Sequence, residues 1–184
     1  DLSVRRGSRA RLVCTVPAAA GRAKSDEIPA SRAILAIGHS ARDTFRMLHA
    51  QGIPLVRKAF SIGVRIEHPQ GQIDLAQYGR TAGLPPAEYK LACHLDNGRS
   101  VYTFCMCPGG RVIGAASETG TVVTNGMSLH ARDAINANSA LLVSVTPDDF
   151  PGEGPLAGLC WQQDLERKAY RAGGGTYAAP AQRV

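Results

Sequence analysis

The segment Phe60–Glu67 constrains the fold more than any other stretch. Phe60, Ile62, Val64 and Ile66 alternate with Ser61, Gly63, Arg65 and Glu67. Successive side chains of an extended chain point to opposite faces, so this pattern predicts a strand buried on one face and polar on the other. Such a strand needs partners. Two further extended segments, Tyr89–Leu95 and Val101–Met106, flank Asp96-Asn97-Gly98. An Asn-Gly pair between such runs predicts a tight hairpin, because both residues tolerate positive φ. Short strands are expected at Arg111–Ala115, after the Pro108-Gly109-Gly110 turn, at Thr121–Thr124, and at Ala140–Thr146. The middle of the chain therefore reads as mostly antiparallel sheet.

Helical patterns are fewer. Ser40 followed three residues later by Asp43 is a capping-box-like start; Phe45 and Leu48 share one helix face, and Gly52 stops the helix. The apolar run Arg32–Ile37, ending at Gly38, predicts a buried strand ahead of it. Ala131–Asn138 is expected as a short helix with Ser128 as its cap, and Pro147–Pro155 as a loop. Leu156–Ala172 is the strongest helical pattern, closed by Gly173-Gly174-Gly175. Residues 1–31 are Arg-rich, with Ala-Gly tracts and no aromatic residue. They are expected as a poorly ordered basic lead-in with one short strand at Arg11–Val16. The expected fold class is α+β.

Composition narrows the function classes. A length of 184 residues suits one domain or a little more. No run of about 18 apolar residues occurs, so no membrane span is expected. No apolar stretch follows Asp1–Arg6, so no signal peptide is expected. The net charge is +6, but residues 1–30 carry half of it, and no later stretch interleaves basic and stacking aromatic residues. Specific nucleic-acid recognition is therefore not expected. The five cysteines form no CxxC pair, which argues against a disulfide framework or zinc site and for a reducing, cytoplasmic setting. Cys105 and Cys107, two apart, read as small hydrophobes in one buried layer. His39, His68, His94 and His130 have no metal-ligand spacing, so no metal is expected. There is no GxSxG elbow, no GxxxxGK[ST] and no GxGxxG.

Two turns are candidate ligand sites. Gly38, His39 and Ser40 lead into a helix that begins with Arg42 and Asp43. Free N–H groups and a positive dipole end at such a turn suit a phosphate or an electron-rich ring edge. The second is Thr124-Asn125-Gly126-Met127-Ser128, where polar groups beside a glycine turn suit either a ligand or their own backbone.

Read together, these blocks carry a resemblance. The string from Ala33 to Phe45 (AILAIGHSARDTF) resembles a segment of a family of bacterial FAD-dependent dehydrogenases, the two-dinucleotide-binding-domain flavoproteins. So do Lys58–Gln70 (KAFSIGVRIEHPQ), Cys105-Met106-Cys107-Pro108-Gly109-Gly110, Thr124-Asn125-Gly126-Met127-Ser128 and Arg132–Asn138, in the same order. Residues 1–31 show no such likeness. The resemblance implies an internal fragment of a flavoprotein: 32–55 a remnant of the FAD-binding domain, 56–175 an inserted substrate-side domain, and 176–184 a return towards the first. It implies that Gly38, His39, Ser40, Arg42 and Asp43 approach FAD. It also implies that Cys105, Pro108, Gly109, Gly110, Asn125, Gly126, Met127 and Ser128 face the flavin or an unknown small-molecule substrate. The family's phosphate-cradling GxGxxG is absent, so these residues alone are expected to hold FAD weakly or not at all. The alternative is a non-catalytic module that folds and binds no cofactor.

Overall fold

The computed structural model describes residues 2–5, 11–16, 24–29, 32, 34–79 and 83–184. The chain divides into two compact units, residues 1–57 with 153–159, and residues 58–152 with 160–184. The class is α+β, as expected.

In the first unit β1 (Leu2–Arg5), β2 (Arg11–Val16) and β3 (Lys24–Pro29) form an antiparallel sheet in that order. The strand expected at Arg11–Val16 is β2, and it is paired on both sides. Helix α1 spans Arg42–Ala50. Ala41, not Ser40, holds the cap position, and no side chain caps the helix. The Asp43 carboxylate instead accepts the Thr44 N–H at 2.8 Å. Gly52, at φ +72°, ends the helix as expected, because the chain must turn left-handed there. The buried strand expected at Arg32–Ile37 is not formed over the described residues 34–37; Ala33 lies outside them. Ile34 is 94% exposed and Leu35 46% exposed. An apolar run becomes a strand only beside another strand, and none of the described strands pairs with it.

The second unit is built on β4 (Phe60–Pro69), β5 (Ala92–His94), β6 (Ser100–Cys107) and β9 (Asn136–Val145), ordered β4-β9-β6-β5 and antiparallel throughout. β4 pairs with β9 over its whole length, from Phe60 opposite Val145 to Pro69 opposite Asn136. The β5–β6 hairpin turns at Gly98 (φ +80°), and the Asn97 side chain accepts the Arg99 N–H at 3.1 Å. A second hairpin joins β7 (Gly110–Ala115) to β8 (Val123–Ser128). Phe60, Phe150 and Trp161, the last on α3 (Ala157–Ala172), pack with ring centroids 5.1–6.0 Å apart.

Three expectations are corrected here. Residues 131–138 are not a helix: Arg132 sits at φ +51°, which breaks helical continuation, and from Asn136 the chain is strand β9. Ser128 therefore caps no helix; its hydroxyl donates to the Pro108 carbonyl at 2.7 Å. Cys105 and Cys107 do not share a buried layer. The pairing runs from Phe104 opposite Ala140 to Cys107 opposite Asn138, a bulge with Cys105 at φ +47°. The extra residue throws Cys105 outward to solvent, while Cys107 is half-buried.

Helix α2 (Gln70–Tyr78) has no clear sequence signal, since Gly71 interrupts a weak apolar pattern. Side-chain bonds within the helix and to Ala87 fix it, the Ala87 N–H donating to Asp74 Oδ1 at 2.8 Å. The buried Gln70 amide donates to Asp74 Oδ1 at 2.7 Å and to the Ala87 carbonyl at 3.0 Å.

Candidate functional site

The register of the larger sheet sorts its side chains by face. Arg65 and Asn138 lie on one side, with Cys107 opposite Asn138; His68, Ile66, Leu141 and Thr103 lie on the other. The β7–β8 hairpin meets the first side. Its Val112 N–H donates to Glu67 Oε2 at 3.4 Å, and Asn136 Nδ2 donates to Glu67 Oε1 at 2.5 Å.

Beneath this hairpin sits a compact polar cluster. Arg65 Nη1 donates to Asn138 Oδ1 at 2.5 Å and to the Cys105 carbonyl at 3.3 Å. Asn138 is fully buried. Its Nδ2 and the Arg65 Nε are buried without a hydrogen-bond partner. Buried donors without partners are rare because each carries an uncompensated desolvation cost. Gly126 lies against this pair: a Cβ there would fall on Asn138 Oδ1, Arg65 Nη1 and Cys107 Sγ.

Above the cluster opens a cavity of about 700 Å³, bordered by Met106, Cys107, Pro108, Gly126, Met127 and Ser128. Leu129, His130 and Arg132 complete its wall. Two blocks far apart in sequence thus meet in space, because β7 places Gly110 opposite Ser128 and Val112 opposite Gly126. The left-handed residue Arg132 borders this cavity, and left-handed Cys105 directly precedes Met106 on its rim.

The individual residues divide by role. Pro108, Gly109 and Gly110 are buried, and the Gly109 N–H donates to Gln70 Oε1 at 2.8 Å. A Cβ on Gly109 would fall on the Arg132 carbonyl, so the chain's own packing requires this glycine. Asn125, opposite Ile113, and Met127 are exposed. Cys105 is exposed at the bulge. Gly38, His39, Ser40, Arg42 and Asp43 belong to the other unit. There Gly38 is left-handed at φ +69° with open space where a Cβ would stand. The Ser40 hydroxyl lies 3.5 Å from His39 Nε2, and Arg42 is buried. Arg65 is absent from the sequence-derived candidates. Alternation placed it on the polar face of its strand, and nothing in that pattern tells that a hairpin covers that face.

Elsewhere, Arg99 forms a bidentate ion pair with Asp149, holding that carboxyl well below the usual carboxylate range; the Thr146 N–H adds to the effect. Burial raises the Tyr89 hydroxyl above its ordinary value, against smaller lowering contributions from Ser139 and Arg65. Among the described residues no group of three His, Cys, Asp or Glu side chains is placed to hold a metal ion. Among the same residues no helix is long and apolar enough to cross a membrane.

The larger unit is thus an antiparallel α+β domain whose β7–β8 hairpin borders a cavity beside half-buried Arg65 and buried Asn138. Residues 59–184, more than half of the chain, match the family described as FAD-dependent protein, C-terminal domain-like, and the chain belongs to that family. An uncharacterized protein of Clostridium beijerinckii is 53% identical over 155 residues, covering 82% of this chain and 29% of that protein. The chain thus spans under a third of the length of this relative.

Proposed function

We propose that this chain is the flavin-facing module of an FAD-dependent oxidoreductase, a dehydrogenase that exchanges a hydride with a small-molecule substrate in the cytoplasm. The observation that carries this reading is the cavity that brings Met106, Cys107 and Pro108 together with Gly126, Met127 and Ser128, next to the Arg65–Asn138 pair. The residues fit a flavin edge. Met106 and Met127 offer polarizable walls for a flat ring, and two buried donors without partners, Arg65 Nε and Asn138 Nδ2, lie behind the Gly126 and Cys107 part of the wall. When bound, the flavin ring supplies the redox chemistry, accepting a hydride and passing its electrons on.

The chain's own residues position and shield. Arg65 fixes the Cys105 carbonyl and so the bulge on the cavity rim. Gln70 fixes Gly109 from the opposite side. Gly126 lets the hairpin backbone close directly onto Arg65 and Asn138. In the other unit, the Gly38-His39-Ser40 turn before α1 is proposed as a second point of cofactor approach.

The test is a protein-detected NMR titration of the 184-residue chain with FAD and with riboflavin. Weak, saturable shifts confined to Met106–Gly110 and Gly126–Arg132, alike for both compounds, are expected. No shifts, or shifts away from those segments, would refute the reading. For the oxidoreductase step, the whole Clostridium relative should retain flavin and bleach anaerobically with a reduced nicotinamide cofactor. A second reading, a module that folds without cofactor, draws on the Pro108-Gly109-Gly110 turn, whose glycine requirement is already met by Gln70 and Arg132.

A further inference from the structure

The opposite face of the larger sheet carries a second cavity, of about 450 Å³, between α2 and strands β5 and β6. Its wall is mostly apolar, with Ile66, Ile73, Leu91, Val101 and Leu141. Among its polar lining residues, which include Gln77, Tyr102 and Thr103, two are bonded to each other. His68 Nε2 and the Tyr89 hydroxyl lie 2.8 Å apart, with the rings tilted at 5.6 Å between centroids. His68 Nδ1 is buried without a hydrogen-bond partner. The other nearby hydroxyls are engaged: Thr103 Oγ1 accepts the Leu91 N–H at 2.8 Å and donates to the Leu91 carbonyl at 3.3 Å, the Tyr102 hydroxyl donates to Ser61 Oγ at 2.8 Å, and the Ser139 hydroxyl donates to the Ala140 carbonyl at 3.1 Å.

We propose that this cavity is a separate ligand site that takes a small, mostly apolar molecule carrying one hydroxyl or carbonyl oxygen. Its volume falls in the range of small-molecule sites, which pair an apolar wall with a few convergent polar groups. The Tyr89 hydroxyl is the group that reads the ligand's oxygen, and His68 sets its position. An added peptide strand fits less well, because the edge strand here, β5, has only three residues. A continuous apolar helix fits less well too, because it would bury the Tyr89–His68 pair against carbon. The site shares no lining residue with the glycine-shaped cavity and does not depend on the flavin reading.

The test uses the 184-residue chain, with 4-phenylphenol as the probe and biphenyl as the same body without the hydroxyl, followed by NMR. Saturable shifts confined to residues 66–77, 89–93, 101–103 and 141 are expected with 4-phenylphenol. Biphenyl, or the Tyr89→Phe variant with 4-phenylphenol, should bind roughly tenfold more weakly, the size of one hydrogen bond. Ala76→Trp, placed on an exposed position of α2, should fill the cavity and abolish the shifts while leaving the fold's spectrum intact. Three results would each overturn the proposal. They are shifts that never saturate or scatter over the molecule, equal affinity for both probes, and a dimer of the chain that excludes the probe.

Discussion

Gly126 has a backbone any residue could adopt, yet it has no room for a side chain. A methyl group there would press on Arg65, Asn138 and Cys107 together. Over-filling of this kind typically costs ~1–3 kcal/mol, so Gly126→Ala should lower the urea midpoint with an unchanged slope. The same variant should lose the FAD-induced shifts on the cavity floor. Asp149 supplies a second prediction. Its folded pKa is depressed by Arg99, so its contribution is present above the unfolded value of about 3.9 and fades as pH falls through the folded value. Asp149→Asn should therefore be less stable at neutral pH and show a flatter loss of stability on acidification. Equal acid limbs for the two proteins in chemical denaturation would count against this. Arg65 shows why part of the site was hidden in the sequence. The Phe60–Glu67 alternation assigns it correctly to a face, but what covers that face is decided by a hairpin fifty residues away.

At the scale of elements, local chemistry made some of the fold legible and not the rest. The β5–β6 hairpin follows from Asn97-Gly98, because the turn's φ requirement is met within the turn itself. The end of α1 follows from Gly52 for the same reason. The stretch 131–138 misleads because its Ala and Arg residues suit a helix locally, whereas pairing along β4 rewards an extended chain from Asn136 onward. Arg32–Ile37 misleads in the opposite sense: its composition suits a strand that finds no partner among the described strands. Two glycines test this distinction. Gly98 is left-handed, so Gly98→Ala should destabilise by about 1 kcal/mol. Gly71 lies in α2 with open space around an added Cβ, so Gly71→Ala should stabilise by roughly 0.5–1 kcal/mol. Thermal melts of the two variants should move in opposite directions. Movement in the same direction would mean that burial around the two sites, not backbone conformation, decides.

For the molecule as a whole, the family is described as FAD-dependent, and the proposed reading gives the cavity the flavin ring but names no residues for the dinucleotide's phosphates. The 184 residues hold no GxGxxG, and in dinucleotide folds that loop presents backbone N–H groups to the pyrophosphate. On the reading proposed above, the cavity takes the flavin ring alone, which riboflavin presents as well as FAD. The purified chain should therefore be colourless, and its affinities for FAD and riboflavin should agree within about threefold, a difference of ~0.7 kcal/mol. An FAD affinity far above that of riboflavin, or flavin retained in stoichiometric amount through purification, would mean that some part of this chain grips the phosphates. The basic residues 1–30 are the first place to look, since they carry half of the net charge of +6. Grip of that origin would fall steeply with added salt, whereas ring binding in the cavity would change little, so one titration at low and high ionic strength separates the two.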